Sequence, residues 1–418
     1  MNRRDFLYKS GLTLAGATAA GSSLSLRQSF AVENVPPFFT SPEQVQQRFL
    51  AASPLHGAVI PKDIVHRLGA THYGGKYFLT DKPYLVEGAE ALFAYGMRCI
   101  KLWLGRRLDG YEFNWKSPLT SSSTLLDVIS LPVFQQVIHM PFDVYSFEIS
   151  AVRDQQWSDK DTFAEEEEQF EELANYLLTT FKDRNVTFIL QHWEGDWILR
   201  GKQRDQYKAG NKVDASERAG AMVRWLQARQ TAVEKARASH PESRCRVYNV
   251  SEVNRVYDAL LGLPSVITDV IPHVQVDGVS WSSYDGLGSA VKTWQGLDII
   301  EHFSGLHRAK KPFLMVGEVG LPEHKTKLTT PQIYQWWDTT MGVLLARQIP
   351  YIFQWELYDN EVLNDADNKI KPITDINRLG GFWLIKPDGT LGLGAKYLQA
   401  LLQHAGEKLP PALIKSFS

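Results

Sequence analysis

Cysteine is nearly missing: the 418 residues hold two, Cys99 and Cys245. That excludes a disulfide framework, and no Cys/His spacing reads as a structural zinc site. The two fall at predicted strands that are not neighbours, so the expectation is a pair of buried free thiols. Excess charge is missing as well. Lys and Arg number 45 against 47 Asp and Glu, a net of −2, which leaves no electrostatic footprint for nucleic acid or an anionic membrane. No stretch is long and apolar enough to make a comfortable transmembrane span. No Gly-rich loop follows the first predicted strand, so the phosphate cradle of a dinucleotide-binding sheet is lacking. Internal repeats are lacking too.

Aromatic surface, by contrast, is plentiful. The chain has 12 Trp and 16 Tyr, more than a core of this size requires, and such rings suit sugar faces as well as core packing. At the start, Arg3-Arg4-Asp5-Phe6-Leu7-Tyr8-Lys9 precedes a mildly apolar run rich in Gly, Ala, Ser and Thr from Gly11 to about Leu26. This resembles a twin-arginine export signal, with cleavage expected after Ala31. It implies the twin-arginine export machinery as a partner, a periplasmic or secreted location, and no membrane contact after cleavage. The expected organisation is a signal at 1–31, a linker at 32–54 with prolines near both ends, one domain at 55–404, and a tail at 405–418.

Within that domain a rhythm runs from end to end. Strands are predicted at Leu68–Tyr73, Arg98–Leu104, Val144–Ile149, Val186–Gln191, Arg246–Val250, Val279–Tyr284, Pro312–Gly320 and Pro350–Trp355. Helical stretches separate them, at about Leu85–Tyr95, Leu131–Ile138, Asp161–Phe181, Ala215–Ser239, Gly288–Phe303 and Pro331–Arg347, and a last one covers Gly394–Gln403. The acidic run Glu165 to Glu168 reads as the solvated face of its helix, because Phe170, Leu173, Ala174, Leu177 and Leu178 recur at helical spacing. Eight strands alternating with helices is the count for an α/β fold of the (β/α)8 TIM barrel type, closed by right-handed crossovers.

The seventh strand carries the strongest chemical signal. Pro312-Phe313-Leu314-Met315-Val316-Gly317-Glu318-Val319-Gly320 is a buried apolar run that ends on one carboxylate between two glycines. Barrel active sites form at the C-terminal ends of the strands. Those ends supply His72, Trp103 with Arg106, Glu148, His192 to Asp196, Asn249 with Glu252, Tyr284, Glu318, and Trp355 with Glu356. Strand alternation leaves open whether Glu148 and Glu356 face the mouth or the helices. A rim of carboxylates, aromatics, His and Asn suits carbohydrate chemistry. Glycosidic cleavage needs one carboxylic acid to protonate the leaving oxygen and a second carboxylate to attack or to activate water.

Glu194 at the end of strand four, Glu318 on strand seven, Tyr284 on strand six and Trp355 on strand eight together resemble the clan of retaining glycoside hydrolases that includes family five. The resemblance implies Glu318 as nucleophile, Glu194 as acid/base, Tyr284 as the residue orienting the nucleophile, and Trp355 as the floor of a sugar subsite. It also implies a carbohydrate substrate and no cofactor. His72, Trp103, Arg106, His192, Trp193 and Asn249 complete the expected substrate-binding set. One departure stands out: the clan has Asn just before its acid/base, and here that position is Trp193. Glu252 is therefore the alternative acid/base. Two other readings stay open: an impaired barrel that binds glycans or a protein partner, and a metal-dependent hydrolase using His72 and His192 with carboxylates.

Overall fold

The computed structural model describes residues 36–152, 162–201, 215–306, 310–364 and 372–418. The expected signal at 1–31 lies outside them. The chain enters through helix α1 (Pro42–Ala52) and then alternates: β1 (Leu68–Thr71), α2 (Tyr84–Tyr95), β2 (Cys99–Trp103), the short α3 (Leu125–Ile129) and α4 (Pro132–Ile138), and β3 (Val144–Glu148). There follow α5 (Ala164–Thr180), β4 (Thr187–Gln191), α6 (Gly195–Arg200), α7 (Ser216–Ser239), β5 (Arg246–Val253), α8 (Val266–Asp269) and β6 (Gly278–Ser282). The last third holds α9 (Ala290–Ser304), β7 (Phe313–Val319), α10 (Thr330–Ala346), β8 (Ile352–Gln354), α11 (Leu393–Gln403) and α12 (Pro411–Ser416). All eight strands pair in parallel, and β8 returns to β1, closing a (β/α)8 barrel.

Strand side chains alternate, so every second residue enters the barrel. Cys99, Val144, Ile189, Val250, Met315 and Phe353 form an apolar floor there. Two residues further along four of those strands the interior turns polar: Lys101, Ser146, Gln191 and Glu252 replace the apolar side chains, while Gly317 follows Met315 and Trp355 follows Phe353. Outward-facing residues such as Ala70, Ile100, Leu102, Phe147 and Val316 join the much larger core between barrel and helices. Both thiols are free and buried. Among the described residues, no helix is long and apolar enough to cross a membrane.

One irregularity decides where the chemistry sits. Ser280 pairs with Met315, yet Ser282 pairs with Glu318. On the other side Val316 pairs with Ile352 and Val319 with Gln354. Strand β7 thus holds one residue more than either neighbour, a β-bulge. Simple alternation would leave Glu318 outward if Gly317 faces inward; the extra residue swings it into the barrel mouth.

Two expectations need correction. The stretch expected as a linker contains α1, whose Val45 and Phe49 are buried. One of its prolines marks a helix start: Ser41 accepts the Gln44 N–H and Pro42 occupies the first turn. The acidic run is not wholly solvated. Glu166 is buried and paired with Arg229 of α7 at 2.5 Å, and it also accepts the Val152 N–H at 2.8 Å. Arg229 reaches on to the Ile149 and Ser150 carbonyls, so the pair ties the exit of β3 to the helical layer.

Candidate active site

Four charged side chains meet inside the mouth, all essentially inaccessible to solvent: Lys101 from β2, Glu148 from β3, Glu252 from β5 and Glu318 from β7. The Lys101 Nζ lies 2.5 Å from Glu148 Oε1, 3.5 Å from Glu318 Oε1 and 3.6 Å from Glu252 Oε2. It also donates to the Gly317 carbonyl at 3.0 Å. Each of the three glutamates offers one carboxylate oxygen within 4.8 Å of the others. Such a trio could hold a cation, and the Lys101 ammonium supplies it.

Hydrogen bonds then distinguish the three carboxylates. Glu318 accepts from Trp193 Nε1 at 3.1 Å and from Ser282 Oγ at 2.9 Å, while Ser283 Oγ binds its backbone carbonyl at 2.8 Å. Glu148 accepts from Gln191 Nε2 at 2.6 Å. Glu252 Oε1 accepts the backbone N–H of Glu194 at 2.8 Å, and its Oε2 lies 3.5 Å from Gln191 Nε2. Burial would lower the Lys101 pKa, but Glu148, Glu318 and Glu252 together push it above the usual lysine value. Burial first and the Glu148 charge second hold the Glu252 carboxyl well above the ordinary carboxylate range, against the pull of Lys101. Burial also raises Glu148, and Lys101 opposes it. The site thus contains a carboxyl whose hold on a proton is strengthened beside one whose two oxygens both accept hydrogen bonds.

Aromatic rings wall the mouth. Trp103 stacks on Tyr73 at 4.5 Å, and it meets Trp193 and Trp355 edge-on at 5.8 and 5.9 Å. Trp193 is 38% exposed and Trp355 only 2%. Trp103, Trp193, Glu252 and Glu318 are therefore brought together. Glu194 lies at the entrance of α6 with φ of 49°, its side chain half-buried and its backbone tied to Glu252. Tyr284 falls in the turn after β6 and packs edge-on against Phe382.

Other expected residues serve the scaffold. His72 is fully buried toward α2, donating Nε2–H to the Tyr84 carbonyl at 2.8 Å, so close to Gly88 that a Cβ there would lie 2.2 Å from its Nε2. His192 packs on Trp225 of α7, and its Nε2 accepts the Glu252 N–H at 3.2 Å. Burial keeps both rings neutral, lowering His72 to about 4 and His192 to about 3. Among the described residues neither ring joins the carboxylate cluster, so the structure does not assemble the expected metal centre from His72 and His192. Asn249 also turns outward, its Nδ2 donating to Gln230 Oε1 at 3.2 Å. Arg106 holds the Ser121 and Val152 carbonyls. Asp196 accepts the N–H groups of Asn254, Arg255 and Val266 at 2.8 to 3.0 Å and so staples the loops after β4 and β5.

Sequence reasoning overlooked Lys101, Gln191 and Ser282. The available signal was period two: Cys99, Lys101 and Trp103 alternate with the outward Ile100 and Leu102, so a cation had to enter the barrel.

No protein family model matches the sequence, and no curated protein matches it. Solved structures do. A GH5_18 structure from Streptomyces cattleya in complex with GlcNAc aligns with a TM-score of 0.50 at 10% identity, covering 81% of this chain and 79% of that one. A GH5-4 broad specificity endoglucanase from Bacteroides salanitronis aligns at 0.46 and 13%, covering 84% and 94%. An exo-β-1,4-mannosidase from Opitutaceae bacterium strain TAV5 aligns at 0.44 and 12%, covering 83% of this chain, which spans 60% of that protein. At such identities the likeness is one of fold: the neighbours are glycoside hydrolases built on the same barrel.

Proposed function

We propose that this chain is a retaining glycoside hydrolase, with Glu318 as nucleophile and Glu252 as acid/base, acting on a poly- or oligosaccharide outside the cytoplasm after twin-arginine export. The observation that carries the reading is a separation. One carboxyl oxygen of Glu252 lies within 4.8 Å of one of Glu318, so the pair is no wider at its nearest approach than the roughly 5–5.5 Å over which double displacement works. In the first step a Glu318 oxygen attacks the anomeric carbon as the bond to the leaving sugar breaks, and the Glu252 proton passes to the departing oxygen. In the second, water attacks the same carbon, Glu252 takes its proton, and the Glu318 ester bond breaks. The donors Trp193 Nε1 and Ser282 Oγ hold the attacking carboxylate in place. The stacked Tyr73 and Trp103 offer a flat face for a sugar ring.

A barrel that binds glycans without cleaving them is the second reading, favoured by the full burial of Glu318 beneath Trp193. A panel of aryl glycosides separates the two. Glu318→Ala is expected to abolish turnover. Glu252→Gln is expected to lose about 10²–10⁴-fold on poor leaving groups while keeping the first step with dinitrophenyl glycosides, which need no proton. If Glu194→Gln shows that split and Glu252→Gln does not, the acid is Glu194. Glycan binding with no turnover on any member supports the second reading.

A further inference from the structure

Two buried charges take no part in the double displacement. Lys101 Nζ and Gln191 Nε2 both contact Glu148 Oε1, at 2.5 and 2.6 Å, and both contacts favour an ionised Glu148. Glu252 is placed differently. The charged groups facing its carboxyl are Lys101 from β2 at 3.6 Å, Glu148 from β3 and Glu318 from β7. Strand β4 adds the Gln191 amide and the chain after it the Glu194 backbone N–H, while the neighbouring β6 sets uncharged Ser280 opposite in register. Three ionised carboxylates around one ammonium would leave uncompensated negative charge in a dry interior, where such charge is costly and weakly screened. A single proton relieves it, and the contacts determine where it resides. Glu318 has two neutral donors on its oxygens, Glu148 has the short ion pair, and Glu252 has the longest contact to the ammonium.

We propose that Glu148, pinned in its ionised form by Lys101, is a positioning residue that keeps the proton of the site on Glu252 and leaves Glu318 free to attack. This deepens the reading of Glu252 as acid/base and rests on it. Removing the Glu148 charge ends the repulsion against an ionised Glu252 and releases Lys101 to pair with it, so Glu252 holds its proton less tightly. Removing Lys101 instead strips the carboxylates of their counter-charge, so Glu252 holds its proton more tightly.

The test is a carboxyl-13C NMR titration of the full chain labelled at the glutamate δ-carbons, with each resonance assigned by its loss in the matching Gln variant. Glu148→Gln is expected to lower the Glu252 midpoint by about one pH unit, tenfold in proton affinity. Lys101→Met is expected to raise it, and the double variant to fall between the two. An unmoved midpoint in a folded Glu148→Gln chain overturns the proposal. Should the variants not fold, the wild-type chain decides, its side-chain carboxyl resonances assigned instead by through-bond correlation from the backbone: Glu148 must titrate at lower pH than Glu252, and the reverse order overturns the proposal. The titration needs no substrate, so its outcome is independent of the glycosidase reading, which the leaving-group comparison tests. In the active enzyme the alkaline limb of kcat/KM moves to lower pH in Glu148→Gln, a shift that a purely structural role would not produce.

Discussion

Trp193 shows how one side chain can serve two surroundings. Its indole is partly exposed, yet its Nε1–H reaches a Glu318 oxygen buried in the barrel mouth. Replacing it with Phe keeps most of the aromatic area and removes that donor. A hydrogen bond to a charged group is worth about 1.5–3 kcal/mol, and partial exposure places this one at the low end. Steady-state kinetics of Trp193→Phe are therefore expected to show kcat reduced about tenfold with KM little changed, whereas an unchanged kcat would mean the donor is idle. The residue was visible in the sequence only as a departure from a pattern, because its value depends on a partner 125 positions away.

At the scale of elements, the bulge in β7 is the feature on which the site depends. Gly317 stands at its inner face, and a Cβ there would lie 2.1 Å from Ser280 Oγ and 3.5 Å from both Gln191 Nε2 and Glu252 Oε2. Gly317→Ala is expected to lower stability by about 1–3 kcal/mol through overpacking and to reduce activity by displacing Glu318; a denaturant titration with parallel kinetics measures both. The eight strands and their main helices were legible because each is a long periodic segment with clear breaks. The bulge was not, since an extra residue in one strand is defined only by its pairing with two others. The same reason hid the helix-facing roles of His72, His192 and Asn249: at a strand end the sequence shows the residue type, and only the register shows the face.

The whole molecule should record its buried histidines in the pH dependence of its stability. His72 is neutral in the fold, with its pKa lowered from 6.5 to about 4, chiefly by burial. Its contribution is fully present above pH 6.5 and is lost as pH falls through about 4, and at 1.36 kcal/mol per pH unit the loss is about 3 kcal/mol. His192, lowered to about 3, acts in the same direction over a wider window. Melting temperatures taken between pH 7 and 4 should fall, and His72→Phe should fall less steeply over that range while starting from a lower value. Equal slopes for the two chains would contradict a neutral buried His72.

The barrel gathers residues from four strands into one charge cluster, and the central claim is that Glu318 in that cluster forms a bond to sugar. Incubation with a panel of dinitrophenyl 2-deoxy-2-fluoroglycosides, followed by intact mass and peptide mapping, tests this directly. One added fluorosugar is expected on the peptide carrying Glu318, and none in Glu318→Ala. An adduct on another residue, or no adduct with any member of the panel, would contradict it.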